Sequence, residues 1–392
     1  MTCLRPASAN LTGVYLTEMV DCETLPENPV FTRVRATSNV PTLARELLTS
    51  AELTGRPDIS DGRLQNRSVS YEVALELSYG SYDSLLAGSL NSEWVSGATD
   101  TGLTVNVVAA TKTVSIVGVD KTSDIKVGDE VYFAGLTGDN ATPLMVQSIS
   151  FTTDTDMVVS VPDNYLADES DVTTDLKVSD SLSSGSAIKH FAVLAVYGDF
   201  PGGPLYELTL GAEATGFALN TAVNSFVTGT ISVIGKNLTP SFSMPDGATL
   251  QEANKNKIYS GIDTCLNSES GKVAKTTSID FTLDAGASPS YVICSDEMSH
   301  VSYDKFSVTG TIGRLFVDTY FDDKFLNEQY AYITSRSAIK GEGKVMTFSA
   351  PRALITSSEK TVDTGDVTVS NGFQGFDDGD TSIIIRRIDT TA

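Results

Sequence analysis

Residues 68–90 read SVSYEVALELSYGSYDSLLAGSL, and their hydrophobic period changes halfway along. From Ser68 to Leu77 the apolar residues Val69, Tyr71, Val73, Leu75 and Leu77 alternate with Ser68, Ser70, Glu72 and Glu76, which predicts a strand buried on one face. After the turn signal Tyr79-Gly80-Ser81, the residues Tyr82, Leu85, Leu86 and Leu90 recur at spacings of three and four, which predicts a short helix with one buried stripe. A strand with one wettable face leads straight into a helix.

The rest of the chain is of the same kind. Its usage leans to Thr, Ser, Val, Gly and Asp, in short alternating runs broken by Gly, Asp and Asn, and this predicts a mainly β protein with a few short helices. At 392 residues and 41% hydrophobic content there is room for two or three domains. The opening MTCLRPASANLTGVYL has no long apolar run, and no later stretch approaches the roughly 20 apolar residues of a membrane span, so a soluble, unexported chain is expected. Cys3, Cys22, Cys265 and Cys294 show no CxxC or Cys/His spacing, which favours reduced thiols over zinc or a disulfide framework.

The formal charge of −23 argues against binding nucleic acid through phosphate neutralisation, because that needs clustered Lys and Arg. Nor do the 31 aromatic residues interleave with basic ones, as stacking on single strands would require. The charge is uneven: residues 97–185 hold 14 acidic residues against four lysines, a net of −10. Within them, strands are expected at Leu103–Val108, Thr113–Val117, Glu130–Phe133, Leu144–Ile149 and Met157–Val161, separated by Gly- and Asp-rich turns. A small all-β inserted domain is therefore expected at 97–185, with Asp168–Ser186 as its linker.

Further strands are expected at Phe191–Val196, Tyr206–Leu210 and Phe226–Ile234, the last alternating Val227, Ile231 and Val233 with Thr228, Thr230 and Ser232. Then SVTGTIGRLFVDTYFDDKF, residues 307–325, repeats the opening stretch in outline at an offset of 239, placing Val308 on Val69 and Ile312 on Val73. The alternation is broken where Arg314 falls on Leu75, and a bulge at Gly313 would explain the slip. The strand-turn-helix unit thus occurs twice.

Residue chemistry offers little else. His190 adjoins the apolar run FAVLAVYG and His300 lies between Ser299 and Val301, so each reads as a strand or turn residue and not as a base. GDFPGGP, residues 198–204, lacks the Lys-Ser/Thr of a phosphate loop and reads as a turn. GFDDGDTS, residues 375–382, offers carboxylates to calcium but lacks the twelve-residue loop with its closing Glu. No catalytic residue, metal site or cofactor is expected.

An ordered set of segments carries a family resemblance. LTSAELTGRPDISDGRLQN, the following strand, YDSLLAGSLNSEW, and later FALNTAVNSFVTGTISVIGKN together resemble the major tail, or tail tube, proteins of long, non-contractile-tailed bacteriophages (siphophages). The resemblance covers most of the chain outside 97–185 and includes Ser50, Glu52, Arg56, Trp94 and the 220–236 segment. It implies two fused tail-tube β-barrel domains whose strands join a ring-wide barrel, each with an outer helix. The expected domains are 1–96 with 186–256, the insertion 97–185 on the outer surface, and 257–392. It further implies trimeric, pseudo-hexameric rings, or else hexamers, stacking into a virion tail that conducts double-stranded DNA without tight binding. The partners implied are the chain itself, a tape measure protein, a tail terminator and distal tail proteins, with synthesis in the host cytoplasm.

Geometry is compatible with that expectation. Six domains of four strands give 24 strands, and at about 4.8 Å spacing and roughly 40° tilt these make a circle about 48 Å across, leaving about 35–40 Å between side chains. A duplex roughly 20 Å wide passes freely. The lumen-facing candidates are Ser68, Ser70, Glu72, Glu76, Thr228, Thr230, Ser232, Thr309 and Thr311, a lining of hydroxyls and carboxylates that gives phosphate no grip. The loops Pro26–Leu64 and Gly235–Ser260 and the N-terminal segment are candidates for ring stacking, a contact that does not close on itself. The alternative is a carbohydrate-binding or adhesive β protein, or a hydrolase, with 97–185 as its binding module.

Overall fold

The computed structural model describes residues 6–38, 41–53, 55–160, 166–269, 271–362 and 365–391. Its organising element is a bent antiparallel sheet, built from β1 (Thr42–Thr49), β2 (Gly62–Glu76), β3 (Leu205–Ala222), β4 (Thr228–Gly235), β5 (Thr276–Asp284), β6 (Ser307–Leu315), β7 (Lys344–Thr361) and β8 (Thr368–Gly375). Across it the order is β1-β2-β4-β3-β5-β6-β8-β7. Two seven-residue helices, α1 (Asp83–Ser89) and α2 (Tyr320–Leu326), cover its apolar face. The protein is mainly β.

The alternation read at 68–77 is realised in the second half of β2, from Val69 onward. Val69, Tyr71, Val73, Leu75 and Leu77 are buried in the same core as Leu85, Leu86 and Ala87 of α1, which packs chiefly on β3. A side chain at Gly88 would come within 2.8 Å of the Phe191 ring, so the helix sits this close only because the position is glycine. At Gly310 in β6 a Cβ would run into the Asp280 carbonyl oxygen and the Phe373 ring, which stacks edge-on to Phe281 at 5.2 Å. Gly310→Ala should therefore lower the unfolding free energy by about 1–3 kcal/mol, read as a lower denaturant midpoint at unchanged m.

The two halves of the sheet repeat each other down to their irregularities. Pairing of β3 with β4 skips Thr215, and pairing of β7 with β8 skips Thr356. Opposite β2, the edge segment Ala36–Ser38 skips Thr37, and opposite β6, β5 skips Thr277. Where His190–Tyr197 crosses onto β3, the partners jump from Phe191–Ala212 to Val193–Thr209, and where Tyr330–Ala338 crosses onto β7, they jump from Ala331–Ala353 to Ile333–Ala350. Bulges are placed features, so three matched ones align the halves unambiguously. Glu72–Ser232–Gly216 then matches Thr311–Gly372–Ser357, which sets β6 239 residues after β2.

That alignment corrects the reading of Gly313. Pairing of β6 with β8 runs unbroken from Val308 to Leu315, and the bulge lies on β5 at Thr277 instead. The alternation seemed to slip because Arg314 occupies the buried position of Leu75. It is fully buried, its guanidinium 2.6 Å from Asp318, 3.3 Å from the Asn371 amide oxygen and 5.2 Å from the centre of the Phe321 ring. The helices do not share the offset: α1 starts at Asp83 and α2 at Tyr320, 237 residues apart, so the second connection is two residues shorter.

Six strands lying within 99–160 and 169–178 form a closed barrel with a core of its own. Asp168–Ser186, expected as a linker, instead contributes the barrel strand Glu169–Val178 and a second strand, Asp180–Ser183, which pairs with the last strand, Ile384–Asp389. The barrel is bolted to the outer strands of the second half by buried ion pairs. Glu130 holds Arg336 at 2.6 and 3.0 Å, and Asp129 holds Arg386 at 2.7 Å, with three of the four side chains no more than 5% exposed. Arg387 reaches Asp83 and Asp180 and stacks 4.3 Å from the Trp94 ring, which ties the first helix to the final strand.

Candidate assembly edges and channel face

The face of the sheet away from the helices is open. Paired residues of neighbouring strands point the same way, so the register lays out rows across it. One row runs Glu76, Thr228, Asn220, Asp280, Thr311, Gly372 and Ser357; another runs Glu72, Ser232, Gly216, Asp284 and Ser307. The nine residues singled out from sequence, Ser68, Ser70, Glu72, Glu76, Thr228, Thr230, Ser232, Thr309 and Thr311, all lie on this face, exposed or half-buried.

Sequence reading missed the contribution of β5, β7 and β8: Ser278, Asp280, Thr282, Asp284, Glu359, Ser370 and Gln374. The alternation of TTSIDFTLD, residues 276–284, carried the signal for β5. From β2 to β7 the face presents the carboxylates of Glu72, Glu76, Asp280, Asp284 and Glu359, and no lysine or arginine stands among these row positions. Asp280 accepts from Thr311 at 2.6 Å on one side and from the Asn220 amide on the other. This pins the seam where β3 of the first half meets β5 of the second.

That seam is the sheet's central junction, paired from Gly216–Asp284 to Ala222–Ser278. The two outer edges lack such a partner. β1 is exposed at every residue, and among the described residues the Ser357–Thr361 end of β7 pairs only with β8. Long unpaired edges of this kind invite another chain.

Each half also extends a hairpin arm beyond the sheet. In the first, β1 and the start of β2 form it, with Leu47, Leu48 and Leu64 each about 60% exposed. In the second, Ser288–Tyr291 pairs with Met298–Ser302, and the arm folds back over the first half. Tyr303 donates to Glu213 at 2.7 Å, beside His190 at 3.2 Å, while Arg67 meets Glu297 at 2.7 Å and Asn66 donates to the Ser295 carbonyl at 3.0 Å. Burial pushes the Glu213 carboxyl above its usual range.

The segments expected as loops contain strands. Pro26–Leu64 contains Val30–Arg33, Ala36–Ser38 and β1, and Gly235–Ser260 contains Thr239–Ser241 and Thr249–Gln251. His190 opens a strand and His300 lies in the folded arm. The Asp377 and Asp378 carboxylates accept from backbone amides of their own turn, and among the described residues no group of three or more His, Cys, Asp or Glu is placed to hold a metal. No described helix is long and apolar enough to cross a membrane.

The structure thus presents a sheet with two exposed edges that can accept further strands and an uncharged-to-acidic face. The family model for phage tail tube proteins matches residues 9–375, and the chain belongs to that family. It is a structural component of the virion tail. No curated protein matches it.

Proposed function

We propose that this chain is the repeating subunit of a siphophage tail tube, made in the host cytoplasm, and that its rings are trimers with pseudo-six-fold symmetry. The observation that carries this is the central seam. The junction of β3 with β5 is what one half offers the next, and the free edges of β7 and β1 are the matching pieces left over. Three chains of eight strands would close a 24-stranded barrel. On this reading the tube domains are 1–96 with 186–256 and 257–392, with 97–185 on the outside.

The nine hydroxyl and carboxylate residues then face the channel, joined by Asp280, Asp284 and Glu359. A lining without cations would let DNA pass without retention. A tape measure protein inside and terminator and distal proteins at the tube ends complete the reading. The carbohydrate-binding alternative gains no specific support, because the barrel's most selective contacts are spent on its own chain.

On this reading, the matched bulges imply a register between chains. Moving Gly216–Asp284 and Phe217–Leu283 by the repeat pairs Ser357 with Ala44 and Ser358 with Leu43 of a neighbour. Directly opposed positions suit a disulfide. Oxidising a variant carrying Ala44→Cys and Ser357→Cys should give a covalent ladder ending at the trimer, and either single substitution should not. A ladder ending at six would keep the tube and remove the trimer.

A further inference from the structure

The folded arm of the second half docks on the first half of its own chain, and the repeat says where the extended arm of the first half must go. The ladder equivalence continues into both hairpins, since Leu47–Leu64 corresponds to the position just before Ser288–Ser302. Leu64 is thereby the counterpart of Tyr303, 239 residues apart. The receiving positions map too: Glu213 onto Leu354, His190 onto Tyr330, Asn237 onto Asp377 and Arg67 onto Phe306.

Both sides of the contact change character together. Within the chain, a tyrosine hydroxyl meets a buried carboxylate beside a histidine. At the equivalent place on the second half, Leu354 lies beside an aromatic patch left partly open: Tyr330 is 43% and Phe376 37% exposed, their rings 6.2 Å apart, with Arg352 stacked 4.1 Å from Tyr330. The arm that would reach it carries leucine where the other carries tyrosine. An exposed apolar arm and an exposed apolar patch, related by the chain's own repeat, are complementary halves of one contact.

We propose that the arm of residues 42–64 docks, through Leu64, on the Leu354–Tyr330–Phe376 patch of the neighbouring copy in the same ring. The inference rests on the ring reading above and adds a second contact to each seam between chains. Seams within a chain are latched by polar groups; seams between chains are latched by apolar ones. The difference is chemically sensible, because a contact formed by collision gains from burying apolar area, whereas one tethered within a chain needs less.

The test compares two cysteine pairs, Ala44→Cys with Ser357→Cys under oxidation, and Leu64→Cys with Leu354→Cys under a bismaleimide spanning about 10 Å, because a contact made by side-chain tips, like that of Tyr303 with Glu213, leaves the backbones further apart than a disulfide reaches. Covalent ladders from both pairs, in isolated rings as well as tubes, are expected. A ladder from Ala44/Ser357 alone would leave the ring reading standing and overturn the arm contact. Ladders from Leu64/Leu354 in tubes but not in isolated rings would also overturn it, by moving the arm to the stacking surface. Ladders from neither pair would sink both readings.

A second pair of variants guards against local distortion. Leu64 is exposed in the single chain, so Leu64→Glu should fold normally yet raise the concentration needed for assembly by at least about tenfold. Adding Leu354→Lys should recover part of that loss. Unchanged assembly of Leu64→Glu would overturn the proposal.

Discussion

Replacing Glu130 with alanine should cost the protein about 3–5 kcal/mol, the largest expected effect of any single substitution. Its carboxylate is fully buried and meets the buried guanidinium of Arg336 through two hydrogen bonds. Removing it leaves a cation out of water with only the Pro143 carbonyl at 2.8 Å to accept from it. Exchanging both partners for apolar residues of similar size, Glu130→Leu with Arg336→Met, should restore most of the loss, because the pair's own worth is small beside the cost of breaking it. Denaturant unfolding of the single and double variants measures both quantities. If Glu130→Ala unfolds at the wild-type midpoint, the barrel is not docked through this pair.

The second large effect concerns the open face. Glu72 and Asp284 lie in one row, so in the proposed trimeric ring Glu72→Lys with Asp284→Lys would place six lysines at one level. If this face lines the channel, tubes of the variant should retain duplex DNA at low salt. With six to ten phosphates engaged, affinity should fall by about 10³–10⁵ between 50 and 200 mM salt. Wild-type tubes should retain none at either salt. Retention can be read by filter binding of a labelled duplex, and no retention by variant tubes would place the face outside the channel.

Several of these features were legible in the residues and several were not. The strand and helix of residues 68–90 follow from their two periods, because one face of each is buried and the other is not. The barrel strands were legible because Gly- and Asp-rich turns punctuate them. Glu169–Val178 was read as linker because only Thr174, Leu176 and Val178 of it are fully buried, and Asp180–Ser183 because its partner strand lies some 200 residues away. β1 was invisible for the opposite reason: exposed along its whole length, it shows no alternation between an inner and an outer face.

Arg314 is the most instructive case. A buried arginine satisfied by Asp318, Asn371 and the Phe321 ring looks, in sequence, like a strand losing its pattern. The free edges were beyond reach of sequence altogether. Periodicity tells which side of a strand is wet, but which backbone groups lack a partner is a property of the whole sheet.

The central seam has a kinetic consequence. If the rings are the proposed trimers, three of their six seams are already closed when the polypeptide folds, whereas a ring of six single repeats has all six to close by collision. Ring formation then depends on roughly the third power of subunit concentration and not the sixth, so a tenfold dilution slows nucleation about a thousandfold instead of a millionfold. On that proposed ring, joining two repeats in one polypeptide would widen the range of expression levels over which tubes can start.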